Sequence, residues 1–185
     1  MPVIHLRIDN RLIHGQATAS WVGHLKPDHI LVVNDQVARD PILSKLYSQA
    51  LQARKLQTTL YYQVQKPLFS NIPPQVETSV LEIDKAAEYL ETEKGKREKV
   101  MVIARFPSDA LALIEKGLNP EEIIVGNQII IRGTRPVRIN RFIWVTPEQA
   151  EIYRSIAQKG YSLKIKIMPL EKGKDLLKAL EEKGL

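Results

Sequence analysis

Short apolar runs alternate with amphipathic segments along most of the 185-residue chain. The apolar runs have strand length and are rich in Val and Ile, which predicts six strands. These are Val3–Ile8, Ile30–Val33, Thr58–Gln63, Val100–Ala104, Ile123–Val125 and Leu163–Ile167. Strands that alternate with helices are typical of a mainly parallel sheet. We therefore expect an α/β fold with a single domain over 1–185, an open, mostly parallel sheet of about six to seven strands, and helices on both faces.

The segments between the strands carry apolar residues at helical spacing. The predicted helices are Gln16–Leu25, Pro41–Leu51, Lys85–Glu93, Ser108–Lys116, Pro147–Lys159 and Glu171–Lys183. Asp40-Pro41 and Thr146-Pro147 each supply an N-cap followed by proline in the first turn. The stretch Glu122–Val145 contains several apolar groups, with a further strand predicted at Val137–Val145. We expect one strand of this region to run antiparallel at a sheet edge.

The composition narrows the possible chemistry. The chain has no cysteine, which excludes disulfides, thiolate zinc sites and cysteine nucleophiles. Its formal net charge of +6 favours an acidic partner, but aromatics make up only 6% of residues and do not recur beside the basic clusters, so we do not expect nucleic-acid binding. The N-terminus has no secretory signal and no apolar run approaches the roughly 20 residues that cross a bilayer, which predicts a cytoplasmic protein without a membrane span.

The loop after the first strand carries the most reactive set of residues. In open parallel sheets, ligands bind at the carboxyl ends of the strands, and this loop, Asp9 to Gln16, ends where a helix begins. Gly15 permits close approach of the backbone, and Arg11 supplies a permanently charged planar donor. His14 is the only nucleophile of the loop whose ordinary pKa lies near neutrality. From the residues alone, His14 could be a hydrogen-bonding group, a metal ligand or a covalent carrier.

The other histidines do not form a recognisable site in the sequence. His5 alternates with apolar residues of the first strand, while His24 and His29 flank the first helix and the second strand. We expect all three to be structural or surface groups, because their spacing does not match a metal motif. The sequence predicts neither a metal nor a cofactor.

The run Arg7-Ile8-Asp9-Asn10-Arg11-Leu12-Ile13-His14-Gly15-Gln16, followed by Trp21, resembles the signature segment of the IIB subunits of the mannose–fructose–sorbose phosphotransferase family. Further segments resemble the same family in the same order. They are Ile30–Pro41, Phe106–Ala110 and Ile124–Gly126. The similarity is densest in the first fifty residues.

This resemblance implies a phosphoryl relay. A phosphohistidine of a IIA protein would pass its group to His14, which would pass it to a sugar hydroxyl held by the membrane subunits IIC and IID. The chain would then be cytoplasmic and peripheral to the inner membrane through IIC and IID. Catalysis of such a transfer depends mainly on positioning and electrostatics.

The resemblance also assigns roles within the loop. Arg11 would neutralise the phosphoryl oxygens, while Asp9 and Gln16 would orient the loop or the imidazole; Asp9 could equally be a turn residue and Gln16 an ordinary helix residue. Arg7 would brace Asp9 or reach the phosphoryl group. The remaining residues expected to support the phosphate loop are Gly15, Asp35 and Gly126.

Two departures from the family pattern leave alternatives open. Asn10 stands where a second acidic residue is usual, and Asn127-Gln128 replace a glycine and a methionine. One alternative is a non-transporting, regulatory homologue that is phosphorylated on His14. Another is a phosphate- or nucleotide-binding module without covalent chemistry, although the chain has neither a Walker loop nor a Gly-x-Gly-x-x-Gly fingerprint.

Overall fold

The computed structural model describes residues 3–50, 76–130 and 133–185. Nine strands form there: β1 (Val3–Ile8), β2 (His29–Val33), β3 (Glu77–Leu81), β4 (Val100–Ala104), β5 (Ile123–Val125), β6 (Val137–Arg138), β7 (Trp144–Val145), β8 (Leu163–Ile165) and β9 (Lys174–Asp175). Seven of them make one sheet in the order β3-β2-β4-β1-β5-β8-β9, while β6 and β7 pair separately. All pairs of the large sheet are parallel except β8 with β9, which is the antiparallel edge strand.

The helices lie mainly between the strands. They are α1 (Gly15–Leu25), α2 (Asp35–Arg39), α3 (residues 41–50, where the described segment ends), α4 (Ile83–Glu91), α5 (Glu93–Arg97), α6 (Pro107–Glu115), α7 (Pro147–Gln158) and α8 (Leu176–Glu181). In the described ranges no helix combines the length and apolar content that a membrane span requires.

Two apolar cores cover the two faces of the sheet, because successive strand residues point to opposite sides. Ile30 and Val32 of β2 pack with Trp21 and Val22 of α1 in one core. Leu6, Leu31 and Val102 belong to the other, which also takes in side chains of α4, α6, α7 and α8. Helices on both faces of a mostly parallel sheet were predicted, and the fold class is confirmed.

The connections that follow the neighbouring strands β1 and β5 cross opposite faces of the sheet. From β1 the chain passes over one face through α1 to β2, whereas from β5 it passes over the opposite face through α7 to β8. β1 and β5 are neighbours, so the loops that follow them flank a crevice at their carboxyl ends. Such a switch point is where open α/β sheets bind ligands.

Several predicted strands differ in detail from the structure. The predicted strand Thr58–Gln63 lies outside the described residues. The strand β3, which is at one edge of the sheet within the described part of the chain, was missed because it carries polar Glu77, Thr78 and Ser79 and is only half-buried. The antiparallel edge strand is β9, not a segment of 122–145.

The predicted strand Val137–Val145 is instead a short hairpin outside the main sheet. Its turn is set by Asn140, whose Oδ1 accepts hydrogen bonds from the N–H groups of Phe142 (2.7 Å) and Ile143 (3.0 Å). An asparagine that bonds to the backbone two and three residues ahead bends the chain and ends a continuous strand.

The predicted helix at Glu171–Lys183 was wrong over its first five residues. Lys174 and Asp175 pair with β8 there, and the Asp175 carboxylate caps α8 by accepting from the N–H of Lys178 at 2.9 Å. The short helices α2 and α5 were not among the predicted helices, and each begins at a side-chain cap, Asn34 and Thr92 respectively.

Candidate functional site

His14 lies at the carboxyl edge of the sheet, as the N-cap of α1. Its backbone is extended, its own N–H donates to Thr18 Oγ1 at 2.9 Å, and its imidazole makes no capping hydrogen bond. The residue is exposed while Leu12, Ile13 and Ala17 around it are buried. The imidazole therefore projects from a rigid base into solvent, where another molecule can reach it.

Left-handed backbone at two positions shapes the loop before α1. Gly15 has a φ of +51°, which glycine adopts without steric cost, and Leu12 has a φ of +57°, which is costly for a side chain of its size. Leu12 is held there by burial and by its N–H, which donates to the carbonyl of Asp9 at 2.9 Å. Strain of this kind persists where the surroundings fix it, and it is common at functional sites.

A buried ion pair forms the base of the loop. Arg7 Nη2 donates to Asp9 Oδ2 at 2.9 Å, and both side chains are 2% exposed. Arg7 Nη1 also donates to the carbonyl of Lys166 at 3.2 Å, and its guanidinium lies 5.6 Å from the ring centroid of Trp21. These contacts favour the role in which Arg7 braces Asp9.

The two carboxylate oxygens of Asp9 bind different arginines of the segment. Oδ2 is bound to Arg7, while Oδ1 accepts from the backbone N–H of Arg11 at 3.1 Å and lies 3.4 Å from its Nε. Asp9 is thus the turn residue that the sequence allowed, and it also orients Arg11. The Arg11 side chain remains 23% exposed, on the same loop as His14.

Gly126 leaves room for this ion pair. Its N–H donates to the carbonyl of Ile8 at 2.8 Å, which brings the backbone after β5 against the loop. A Cβ at this position would lie 2.6 Å from Asp9 Oδ2 and closer still to the guanidinium of Arg7. Glycine is required there because the buried pair occupies the space of a side chain.

We expect Gly126→Ala to lower the free energy of unfolding by about 1–3 kcal/mol, the usual cost of overpacking. Urea unfolding followed by circular dichroism measures this loss. In an Arg7→Met background the same substitution should cost less, since the crowding guanidinium is gone. Equal losses in the two backgrounds would contradict the steric explanation.

Asn10 joins the loop to the segment after β5. Its Nδ2 donates to the carbonyl of Ile129 at 3.1 Å and its Oδ1 accepts from the N–H of Ile129 at 3.2 Å, while its own N–H donates to the carbonyl of Asn127 at 3.0 Å. Only an amide can donate and accept in this way, so a carboxylate would lose one of these bonds. In the sequence Asn10 stands out only as a lost charge, because its partner Ile129 is distant in the chain.

Trp21 connects the loop to a third strand end. Its indole N–H donates to the carbonyl of Ile167 at 2.9 Å, next to the Lys166 carbonyl that accepts from Arg7. The residues that follow β1, β5 and β8 are therefore held together by side chains of the signature segment. Trp21 was noted in the sequence, but its partner could be found only from the fold.

The remaining predicted site residues are Gln16, which lies close to His14 in the chain, and Asp35, which lies apart from it. Gln16 is exposed in the first turn of α1. Asp35 lies at the start of α2, two strands away from β1, where its Oδ1 accepts from the N–H of Ile83 at 2.9 Å and its Oδ2 lies 3.5 Å from Arg39 Nη2. The structure thus joins Arg7, Asp9, Arg11 and Gly126 by direct contacts, with His14 and Gly15 at the end of the same loop, while Asp35 joins α2 to α4.

Burial and charge act in opposite directions at the base of the loop. Burial lowers the pKa of Arg7, and the Asp9 carboxylate opposes that shift. Burial also raises the pKa of the Tyr153 hydroxyl on α7, and the negative charge of Asp9 adds to the shift. Tyr153 is fully buried, so a neutral phenol lies within the field of the ion pair.

The arrangement is suited to an anion. The first turn of α1 presents backbone N–H groups without intrahelical acceptors and contains no acidic residue. Arg11 adds a cation, and both oxygens of Asp9 are already taken by arginines. A nucleophilic imidazole beside an anion site can accept and hold a phosphoryl group.

Comparison with known proteins gives a consistent result over the whole chain. The family described as the PTS system sorbose subfamily IIB component matches residues 3–72 and 61–185. The sorbose-specific EIIB component of Lacticaseibacillus casei is 23% identical over 176 residues, 95% of this chain and 93% of that protein. The N-acetylgalactosamine-specific phosphotransferase enzyme IIB component 2 of Escherichia coli is 29% identical over 181 residues, 97% of this chain and 100% of that protein.

A solved structure has the same fold. The crystal structure of the IIBSor domain of the sorbose permease from Klebsiella pneumoniae superimposes with a TM-score of 0.81 at 21% identity, covering 98% of each chain.

Proposed function

Because the chain belongs to the sorbose subfamily of phosphotransferase-system IIB components, we propose that it carries a phosphoryl group on His14 during sugar uptake. The group would come from a phosphohistidine of a IIA protein and would go to a sugar bound by the membrane subunits IIC and IID. The observation that supports this most directly is the exposed imidazole of His14, which takes no part in capping α1.

The first transfer exchanges one phosphorus–nitrogen bond for another. The lone pair of an imidazole nitrogen of His14 attacks the phosphorus, and the bond to the donor histidine breaks with its electron pair returning to the donor nitrogen. The charge on the phosphoryl oxygens is met by Arg11 and by the first-turn N–H groups of α1. Neither group needs to move, because Asp9 and the backbone already hold them.

The second transfer uses the same loop, with His14 now as the phosphoryl donor. The oxygen of a sugar hydroxyl attacks the phosphorus, and the bond to His14 breaks with its electron pair returning to the imidazole nitrogen, which can take up the proton that the hydroxyl loses. Since His14 is exposed, it can meet the IIA donor and the sugar-loaded membrane subunits in turn. Carriers of this kind contribute position and charge, not covalent activation by further side chains.

Phosphoryl transfer from labelled phosphoenolpyruvate tests the proposal. The general phosphotransferase proteins and an active IIA protein of the sorbose subfamily are mixed with the purified chain. We expect label on the protein that is lost in acid and stable in base, as phosphohistidine is. An unlabelled chain, in the presence of a IIA that labels another IIB protein, would refute the proposal.

The same assay separates the two alternatives raised by the sequence. A regulatory homologue would acquire acid-labile label but would not pass it to sugar in vesicles that contain matching IIC and IID subunits. A non-covalent module would remain unlabelled and would bind inorganic phosphate equally well with His14→Gln. Transfer of label to sugar supports the carrier role against both.

A further inference from the structure

A second cluster of titratable side chains lies at the amino ends of the strands, whereas His14 lies at their carboxyl ends. His29 and Glu77 are paired first residues of β2 and β3, and Glu98 lies two residues before β4. His29 Nδ1 is 3.2 Å from Glu98 Oε2 and 3.8 Å from Glu77 Oε2. One nitrogen and two carboxylate oxygens, all within 4.8 Å of one another, converge there.

The groups around His29 present oxygen lone pairs to its Nδ1 atom. Tyr89 Oη lies 2.8 Å from Nδ1, and its own hydroxyl proton is donated to Glu98. Nδ1 therefore faces lone pairs of Tyr89, Glu98 and Glu77. A lone pair on Nδ1 would be repelled by them, so the position suits either a proton or a metal cation.

The other side of the ring is prepared for metal binding. His29 Nε2 lies 2.9 Å from Ser79 Oγ, which can accept a hydrogen bond from the Nε2–H group when Nδ1 binds a metal. A hydrogen bond from the second ring nitrogen is the usual support of a metal-bound histidine, since it fixes the tautomer and the ring orientation. His29 as a whole is 98% buried, so packing fixes the direction of its imidazole.

We propose that His29, Glu77 and Glu98 form a site for a divalent transition metal, with Zn²⁺ as the best fit. Tetrahedral coordination with bonds of about 2.0–2.2 Å sets ligand atoms roughly 3.3–3.5 Å apart. The two separations from Nδ1, 3.2 and 3.8 Å, bracket this value, and all three ligand atoms lie within 4.8 Å of one another, so rotation of the exposed Glu77 side chain would complete the site. The Glu77 side chain is 57% exposed, so solvent reaches the site and a water can complete the coordination.

Lys94 is the competitor of the metal. Its Nζ lies 2.6 Å from Glu77 Oε2 and 3.6 Å from Glu98 Oε1, and its side chain is 53% exposed. A dication between the two carboxylates would replace this amine, which can turn into solvent. Because the ligands come from β2, β3 and the segment before β4, bound metal would tie the edge strand β3 to the sheet and stabilise the fold by mass action.

Isothermal titration with Zn²⁺, on untagged protein freed of metal with a chelator, tests the site. We expect one saturable site per chain and a rise in melting temperature with Zn²⁺. Glu98→Gln and His29→Gln should weaken binding at least about tenfold. The matched control Glu93→Gln changes an exposed carboxylate of α5 that pairs only with Arg97 in the described structure, and it should bind as the wild type does.

Two further variants make the outcome unambiguous. Lys94→Met should tighten Zn²⁺ binding, a gain that no folding defect can imitate. His14→Ala should leave binding unchanged, because its imidazole lies at the other edge of the sheet. Absence of binding, equal binding in Glu98→Gln, or loss of binding in His14→Ala would each overturn the proposal, whatever becomes of the carrier function.

Discussion

Replacement of His14 by alanine is expected to abolish phosphorylation of the chain, while replacement of His24 by alanine preserves it. Both histidines are exposed and both lie at α1, but only His14 precedes its first turn. His24 is in the last turn, against the edge of the Trp21 ring at a centroid distance of 6.4 Å. The anion-binding N–H groups and Arg11 are at the other end of the helix, so only His14 can hold a phosphoryl group beside them.

The measurement is the acid-labile label on each variant after incubation with phosphoenolpyruvate, the general proteins and IIA. Label on His14→Ala should fall to background, and label on His24→Ala should equal that of the wild type. Far-ultraviolet circular dichroism confirms that both variants are folded, which is expected because neither imidazole is buried. Label that survives in His14→Ala would place the acceptor elsewhere.

Arg7→Met is expected to reduce the free energy of unfolding by about 3–5 kcal/mol, because it leaves the Asp9 carboxylate buried without its main partner. Arg11→Met removes the other arginine that contacts Asp9 and should cost less than about 1 kcal/mol. The difference in burial explains the contrast, since Asp9 keeps its bond of 2.9 Å to Arg7 in the second variant.

Urea denaturation of the two variants measures both losses. Arg7→Met with Asp9→Leu should recover part of the stability, since an apolar pair has no unpaired charge to bury. Similar losses for Arg7→Met and Arg11→Met would mean that Asp9 is hydrated and that its stability does not depend on a buried ion pair with Arg7.

Arg11→Met should instead affect the proposed reaction. Loss of a single charged donor to the phosphoryl oxygens typically slows transfer by about 10²–10³-fold. Arg7→Met should therefore lower the free energy of unfolding and Arg11→Met should slow the proposed transfer, although both arginines bind the same carboxylate.

The sequence predicted the fold class and the composition of the His14 loop because both depend on local patterns. Val- and Ile-rich strands, the capping box of Thr146 and Gln149, and the segment from Arg7 to Gln16 can be recognised without tertiary information. Bracing of Asp9 was one of the two roles predicted for Arg7, the other being contact with the phosphoryl group, and the Arg7–Asp9 bond is the one that the structure contains.

The rest depended on contacts that are distant in the chain. The bonds of Asn10 to Ile129 span 119 residues, and the metal cluster needs the register of β2 with β3, which places His29 opposite Glu77. β3 itself was missed because a half-buried edge strand lacks a continuous apolar run. No motif spacing encodes such pairs, so His29, which was predicted to be a structural or surface group, is a candidate metal ligand only once the fold is known.

The antiparallel strand β9 bears on how the protein behaves at high concentration. An exposed strand edge offers unpaired N–H and C=O groups to any other extended chain, and long flat edges promote aggregation. β9 has only two residues, both exposed and oppositely charged, Lys174 and Asp175. It gives too little backbone to nucleate a foreign strand, so this side of the sheet should resist templated aggregation when the protein is crowded.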